Sequence, residues 1–256
     1  KVARLMESLQ IPVRVHSAKE VEQLTGARKF VGGIRYLDDA SIHPLRLLQK
    51  IRRTCETLAQ ADHVKFFEGV EVAGWSTTKS GQRLVKTDAG SFECSMLVLA
   101  LNGYSAQLHP YFADKIYPTR GQILMMEPVD RFMQGPCYAN FYLDYFRQLP
   151  TGELLIGGFR QIEKATEVGY SDHTTTLIQD ALHDFVRVHL PQYADKQVTH
   201  RWSGVMGFAN DGQPAVGSIP EDPQVFFLGG YTGHGMGLAF HTGRCLVDLI
   251  YGRDVP

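Results

Sequence analysis

The sequence predicts a mixed α/β fold in which a parallel α/β layer and an antiparallel sheet flanked by helices are woven from one chain. Three observations carry this expectation. Met96–Leu101 (Met-Leu-Val-Leu-Ala-Leu) is apolar on both faces, as a strand at the centre of a parallel sheet must be when helices cover both sides. From Ile116 to Phe159 the texture changes to short, aromatic-rich strands joined by Pro and Gly turns. Helical and strand patterns alternate on both sides of that region, so the two textures cross rather than form separate blocks.

The elements follow in chain order. Leu5, Met6 and Leu9 have helical spacing at a terminus that opens with Lys-Val-Ala-Arg and no Met, so the chain is expected to begin inside a helix that starts upstream. Ser17-Ala-Lys-Glu20 is a capping box whose helix is expected to stop near Gly26. Gly32–Tyr36 reads as a strand. Pro44 suits the first position of a helix over 44–60, with Leu45, Leu48, Ile51, Cys55, Leu58 and Ala59 on one face. Strands are expected at Val64–Glu68, Val70–Thr77 and Gln82–Thr87. A turn at Asp88–Gly90 then leads into an apolar strand from Ser91 to Leu101. A helix over 173–189 places Leu177, Ala181, Leu182 and Phe185 inward, and Pro191 closes it. The chain ends in a strand (Val225–Leu228), a glycine-rich turn and a helix over 236–251.

Composition narrows the function. The 256 residues are 44% hydrophobic with a net charge of −1, which leaves no basic footprint for nucleic acid. The longest clean apolar run, Met96–Leu101, is far short of the ~20 residues that an integral membrane span requires. No signal peptide is visible, and a cytoplasmic location is the default expectation. Cys55, Cys94, Cys137 and Cys245 are scattered, so no metal site is expected.

The most informative stretch is Val225-Phe-Phe-Leu-Gly-Gly-Tyr-Thr-Gly-His-Gly-Met-Gly-Leu-Ala239, an apolar strand, a turn and a helix with glycines at 229, 230, 233, 235 and 237. Glycines let backbone approach a flat or charged ligand, and a helix start offers free N–H groups and a positive dipole end. Tight packing of a helix on a sheet, with Gly237 and Gly243 merely small, explains the same spacing.

Five ordered blocks decide between these readings. Arg201-Trp-Ser-Gly-Val-Met-Gly-Phe-Ala-Asn-Asp-Gly-Gln-Pro-Ala-Val-Gly217 followed by Gly230-Tyr-Thr-Gly-His-Gly-Met-Gly237 is similar to the terminal signature of the FAD-dependent D-amino-acid oxidase and glycine oxidase superfamily. Asp39-Ala-Ser-Ile-His-Pro-Leu45 resembles that superfamily's entry to a helix. Val72, between Phe66-Phe-Glu and Trp75, fits the valine whose backbone meets the adenine. Leu97-Val-Leu-Ala-Leu-Asn-Gly-Tyr-Ser105, with Gly103, resembles a strand end by the flavin. Tyr145-Phe-Arg-Gln-Leu-Pro-Thr-Gly-Glu-Leu-Leu-Ile-Gly-Gly158 resembles the substrate-domain hairpin. The likeness spans roughly residues 30 to 253 and is nearest to the amine-oxidising branch that includes γ-glutamylputrescine oxidase.

The resemblance implies non-covalent FAD held by Val72, Gly103, Gly230, Tyr231, Thr232, Gly233, His234, Gly235, Met236 and Gly237. It implies a Rossmann-like FAD-binding domain lacking its first βαβ unit, since no G-x-G-x-x-G turn follows a first strand. The expected division is 1–40 and 108–198 for an antiparallel-sheet substrate domain, and 41–107 and 199–256 for the FAD domain. The implied reaction is hydride transfer from a small-molecule primary or secondary amine to flavin, giving an imine, with oxygen or another acceptor taking the electrons. The alternative is a truncated, non-catalytic fragment or subunit, because the pyrophosphate clamp is missing from these residues.

Departures from the family pattern bear on the substrate. Met206 stands where W-x-G-x-R carries the carboxylate-binding arginine, and Gly233 stands where glycine oxidase has a second. Amines are therefore expected over simple α-amino acids, with Arg147 or Arg160 as a displaced anchor. Gly204 replaces the cysteine that tethers flavin in sarcosine oxidases, and Leu155 replaces their oxygen-activating lysine, which leaves oxidase or dehydrogenase open. His234 either polarises the flavin edge, lies over the substrate, or is tied to backbone in the turn. Among the aromatics Tyr138, Phe141, Tyr142, Tyr145 and Phe146, the substrate-site candidate is Tyr142. With Met206, Arg147 and His234 it completes the expected set.

Overall fold

The computed structural model describes residues 1–58, 63–140 and 143–254 and divides them into two compact units. The first takes residues 1–42, 121–167 and 172–204, and the second takes 43–120, 168–171 and 205–256. Two long strands, Ile116–Pro128 and Val198–Ala209, run through the division at 120/121 and 204/205. Residues 108–120, grouped with the substrate domain in the sequence reading, cluster here with 43–107.

In the first unit, Val13–Ser17 pairs antiparallel with Gly32–Tyr36. The helix between them, Ala18–Thr25, has the expected capping box: Ser17 Oγ accepts from the Glu20 amide, and the Glu20 carboxylate accepts from the Ser17 amide at 2.8 Å. It ends at Gly26, whose φ of +66° is left-handed. A five-stranded sheet follows in the order Val198–Ala209, Ile116–Pro128, Glu153–Gly158, Asp144–Gln148, Cys137–Ala139. One face of this sheet (Leu124, Met126, Phe146, Leu154, Ile156) packs on the helix Thr176–His189 through Ile178, Leu182, Phe185 and Val186. Leu177, expected inward, is exposed. The apolar stripe starts one residue later, and each residue turns a helix by about 100°.

A polar network lies inside this unit. Gln122, fully buried, donates through Nε2 to both Glu167 oxygens at 3.0 Å and to Thr175 Oγ1 at 2.9 Å. Its Oε1 accepts from the Thr175 amide at 2.9 Å and from Gln179 Nε2 at 3.3 Å, and Gln179 Oε1 accepts from Arg201 at 2.8 Å. Every polar atom of the Gln122 side chain is thereby satisfied, as burial demands.

The second unit holds two three-stranded sheets. Ala215–Ile219 pairs antiparallel with Asp222–Gly229, which pairs in parallel with Leu97–Leu99. Val72–Thr77, Arg83–Thr87 and Gly90–Cys94 form an antiparallel meander. Leu99, Phe112, Ile116, Ile219, Val225 and Phe227 make the core. Several expectations need correction here. Ser91–Leu101 is not one strand; it divides into Gly90–Cys94 and Leu97–Leu99, which belong to different sheets. The latter is parallel as expected but lies at the sheet edge, with Val98 43% exposed, because Asp222–Gly229 alone pairs with it among the described residues. Val64–Glu68 is irregular. Instead of joining a ladder, Phe66 lies under the Arg52 guanidinium at 4.7 Å, and Glu68 pairs with Arg52. The helix described is Pro44–Leu58; residues 59 and 60 lie outside the described set. Its apolar stripe, Leu45, Leu48, Ile51 and Leu58, is exposed. Among the described residues, no helix is long and apolar enough to cross a membrane.

Candidate functional site

In the second unit the strand Asp222–Gly229 runs into the glycine turn, and the helix Gly235–Ile250 leaves it. The turn needs left-handed backbone at Gly230 (φ +73°), Thr232 (+51°) and Gly233 (+84°). Three hydrogen bonds hold it. The Gly230 amide donates to Asn102 Oδ1 at 3.0 Å, the Thr232 amide to the Gly207 carbonyl at 2.9 Å, and the Ala209 amide to Thr232 Oγ1 at 3.2 Å. Phe208 and Tyr231 add an isolated antiparallel bridge, and the Tyr231 hydroxyl reaches Thr242 Oγ1 at 2.9 Å, tying turn to helix.

The Asn-Gly pair at the end of the Leu97 segment supplies the third side. A Cβ on Gly103 would stand 2.9 Å from the Met206 carbonyl oxygen, and one on Gly207 would stand 2.7 Å from the Gly103 amide nitrogen. Both positions thus require glycine for a backbone-to-backbone approach. The geometry gathers Gly103, the Met206 backbone and Gly230 to Gly237 into one place. Val72 opens a strand of the separate antiparallel meander.

The start of the terminal helix has the properties of an anion- or dipole-binding surface. The first-turn amides of Gly235 and Met236 precede any i−4 partner, and the helix dipole is positive there. His234 occupies the N-cap position without capping the helix; its ring is exposed and Nδ1 lies 3.0 Å from the Thr232 carbonyl. This is the backbone-tied arrangement among the three readings of His234. A Cβ on Gly237 or Gly243 would meet nothing within 4 Å. Packing within the described residues therefore does not require glycine at either place, although each costs about 1 kcal/mol of helix propensity. A flat group resting on the helix start is an occupant such a bare surface admits, so the residues present fit a flavin ring.

In the first unit, the sheet face opposite the helix Thr176–His189 carries a different set. Ile123, Met125, Leu155, Tyr145, Arg147 and Tyr138 share this face by register, with Arg147 opposite Leu155 and Tyr145 opposite Gly157 and Tyr138. The Tyr145 ring lies over Gly157, where a Cβ would stand 2.3 Å from it. Burial first, then the neighbouring Tyr138, pushes the Tyr145 hydroxyl up to about 12, so it stays a neutral donor through the physiological range. Arg147 Nη2 donates to Ser41 Oγ at 3.1 Å, while its Nε is buried with no hydrogen-bond partner. The Asp144 carboxylate on the other face fixes the strand end by accepting from the Phe159 amide at 2.8 Å and from Asn140 and Gln161 at 3.1 Å. Tyr142 lies outside the described residues. Tyr145 went unselected in the sequence; the signal that could have found it is the glycine directly across the hairpin.

Comparison with known proteins agrees with this geometry. A family model described as "DAO: FAD dependent oxidoreductase" matches residues 1–249. The chain is 27% identical over 242 residues to a probable oxidoreductase OrdL of Rhizobium meliloti, covering 92% of this chain and 53% of that protein. It is 25% identical over 219 residues to a glycine oxidase of Pseudomonas aeruginosa, covering 84% and 57%. Among solved structures, glycine oxidase from Geobacillus kaustophilus superposes with a TM-score of 0.82 at 19% identity, over 98% of this chain and 66% of that one. The L-proline dehydrogenase from P. horikoshii gives 0.83 at 17%, over 99% and 69%. The chain spans about half the length of the curated relatives it matches.

Proposed function

The chain belongs to the DAO family of FAD-dependent oxidoreductases, and we propose that it is the larger part of an enzyme that oxidises a primary or secondary amine to an imine. The observation that carries this reading is the joint placement of the Gly230–Gly237 turn, the Asn102-Gly103 turn and the Met206–Ala209 strand, which presents a bare helix start. FAD, when bound, supplies the acceptor for the hydride that leaves the amine carbon. The chain's own task is to hold and orient. The Gly235 and Met236 amides and the helix dipole favour negative charge at the ring edge. Gly103, Gly230, Tyr231, Thr232, Gly233, His234 and Gly237 shape the surface beneath it, and Val72 is assigned to the adenine side. The nitrogen must reach the site as the neutral amine; when the carbon gives up hydride the substrate becomes an iminium, which releases one N–H proton to water to give the imine that water then hydrolyses. Oxygen or a second acceptor takes the electrons.

Within this reading, amines are preferred over simple α-amino acids because Met206 offers no cation to a carboxylate, and a charge left unpaired in a closed site is costly. The test compares an aliphatic amine with glycine and D-alanine on the enzyme, then repeats the comparison with Met206→Arg. The expected result is a higher kcat/KM for the amine in the wild type, and a gain of roughly tenfold for amino acids in the variant, the scale of one charge-assisted hydrogen bond. A wild type that favours glycine or D-alanine, with no gain from the arginine, would refute the preference.

A further inference from the structure

We propose that Asn102 is a positioning residue for the flavin: its side-chain carbonyl fixes the Gly230 amide and so aims the start of the terminal helix at the ring. This rests on the reading above that sets the ring at that helix start. Asn102 lies just beyond the strand Leu97–Leu99 and has a left-handed backbone, with φ of +48°. Asparagine visits that region more readily than most residues with a Cβ, so the conformation costs little here. Two glycines from two other segments make room for it. A Cβ on Gly229 would stand 3.1 Å from Asn102 Cα, and one on Gly207 would stand 2.8 Å from Asn102 Cγ.

The side chain is held in one orientation. A backbone N–H can only donate, so the Asn102 amide must turn its oxygen to Gly230, and Oδ1 accepts from that N–H at 3.0 Å. The backbone is held separately: the Asn102 carbonyl accepts from the hydroxyl of the buried Ser105 at 2.8 Å. Gly230, at φ +73°, is the first left-handed residue of the turn, and the helix begins at Gly235. A glycine at such a point has several backbone conformations open to it. The bond from Asn102 selects one of them and sets the line along which the following residues lead into the helix. Thr232 is anchored independently, through the Gly207 carbonyl and the Ala209 amide. Loss of the Asn102 acceptor therefore leaves the turn formed but its entry loose. The cofactor feels that loss unequally. The positive end of a helix favours a reduced, negatively charged ring over an oxidised, neutral one, so misaiming it weakens the hold on reduced flavin more. A residue that merely filled the space between Gly207 and Gly229 would change fold stability and leave that difference alone.

The test uses the FAD-loaded enzyme expressed from its full reading frame and reads the midpoint potential of the bound flavin. Asn102→Gly keeps a left-handed backbone and removes the acceptor. Its affinity for reduced relative to oxidised flavin is expected to fall about fivefold, a shift of roughly 20 mV to more negative potential for a two-electron couple. Ser105→Ala removes the neighbouring bond to the Asn102 carbonyl, and is expected to lower the melting temperature with the potential in place. A potential unchanged in Asn102→Gly, or moved as far by Ser105→Ala, would overturn the proposal. If Asn102→Gly does not fold, hydrogen–deuterium exchange of the wild-type holoenzyme decides. Slow exchange of the Gly230 amide is expected in both oxidised and reduced enzyme, and exchange as fast as in exposed backbone would overturn the assignment. Failure of the underlying reading looks different: Gly237→Leu would then bind FAD as tightly as wild type. Failure of the Asn102 role alone leaves FAD binding weak in Gly237→Leu and the potential of Asn102→Gly unmoved.

Discussion

Arg83 and Asp222 join the antiparallel meander to the mixed sheet of the second unit, and their side chains are only 11% and 14% exposed. Arg83 Nε donates to Asp222 Oδ1 at 3.1 Å, Nη2 donates to the same oxygen, and Nη1 donates to the Gly81 carbonyl at 2.8 Å. The hydrogen bonds from Arg83 are the main reason the Asp222 carboxyl titrates below its ordinary range. A lowered carboxyl stabilises the fold fully above the unfolded-state value of about 3.9 and loses that contribution as pH falls through the lower folded value. Asp222→Asn is therefore expected to destabilise by about 3 kcal/mol near neutral pH, the usual effect of stripping a partner from a buried pair. The gap between variant and wild type closes in acid. Thermal unfolding on both sides of about pH 4 reads this directly; a gap that does not change with pH would show that the pair contributes only shape. Neither partner stands out in the sequence, because their 139-residue separation is bridged only by the fold. Tyr145 was hidden for a related reason. Alternation is imperfect between Tyr138 and Phe146, and only strand register, with Gly157 across from Tyr145, tells which aromatics share a face.

At the scale of elements, legibility followed locality. The Ser17–Glu20 box, the Gly26 stop, the Pro44 helix start and the strand–turn–helix at the end all depend on neighbours a few residues apart, and each is formed by those neighbours. Elements that depend on distant partners were misread. The Ser91–Leu101 run divides between two different sheets, and Val64–Glu68 joins no ladder among the described residues. The glycine turn was legible as a turn, whereas the supporting Asn102-Gly103 contact with Met206 and Gly207 required a close approach no spacing reveals. An element-scale prediction follows from Gly237, where an added side chain meets no atom of the described chain. Gly237→Leu should leave thermal stability without FAD unchanged or raise it by up to about 1 kcal/mol, since leucine is the better helix former. The same substitution should weaken FAD binding roughly tenfold or more, by filling the space assigned to the ring. Equal FAD affinity in the two proteins would remove the helix start from the cofactor site.

Over the whole molecule, two units are each assembled from three segments of chain. The crossing was readable as alternating texture, but its positions were not, because the long strands Ile116–Pro128 and Val198–Ala209 pass through the division without any break in pattern. Each unit brings its own chemistry: the second a glycine-lined helix start suited to a flavin ring, the first a sheet face with a half-buried tyrosine and an arginine whose buried Nε has no hydrogen-bond partner. The central claim is that these residues belong to a flavoenzyme reduced by amines. Its most direct test is an anaerobic titration of the enzyme, expressed from its full reading frame, with an aliphatic amine while the visible absorption is followed. The protein is expected to be yellow, with flavin bands that bleach on adding the amine and return when oxygen or another acceptor is admitted. A colourless protein, or bound flavin that no amine bleaches, would contradict it.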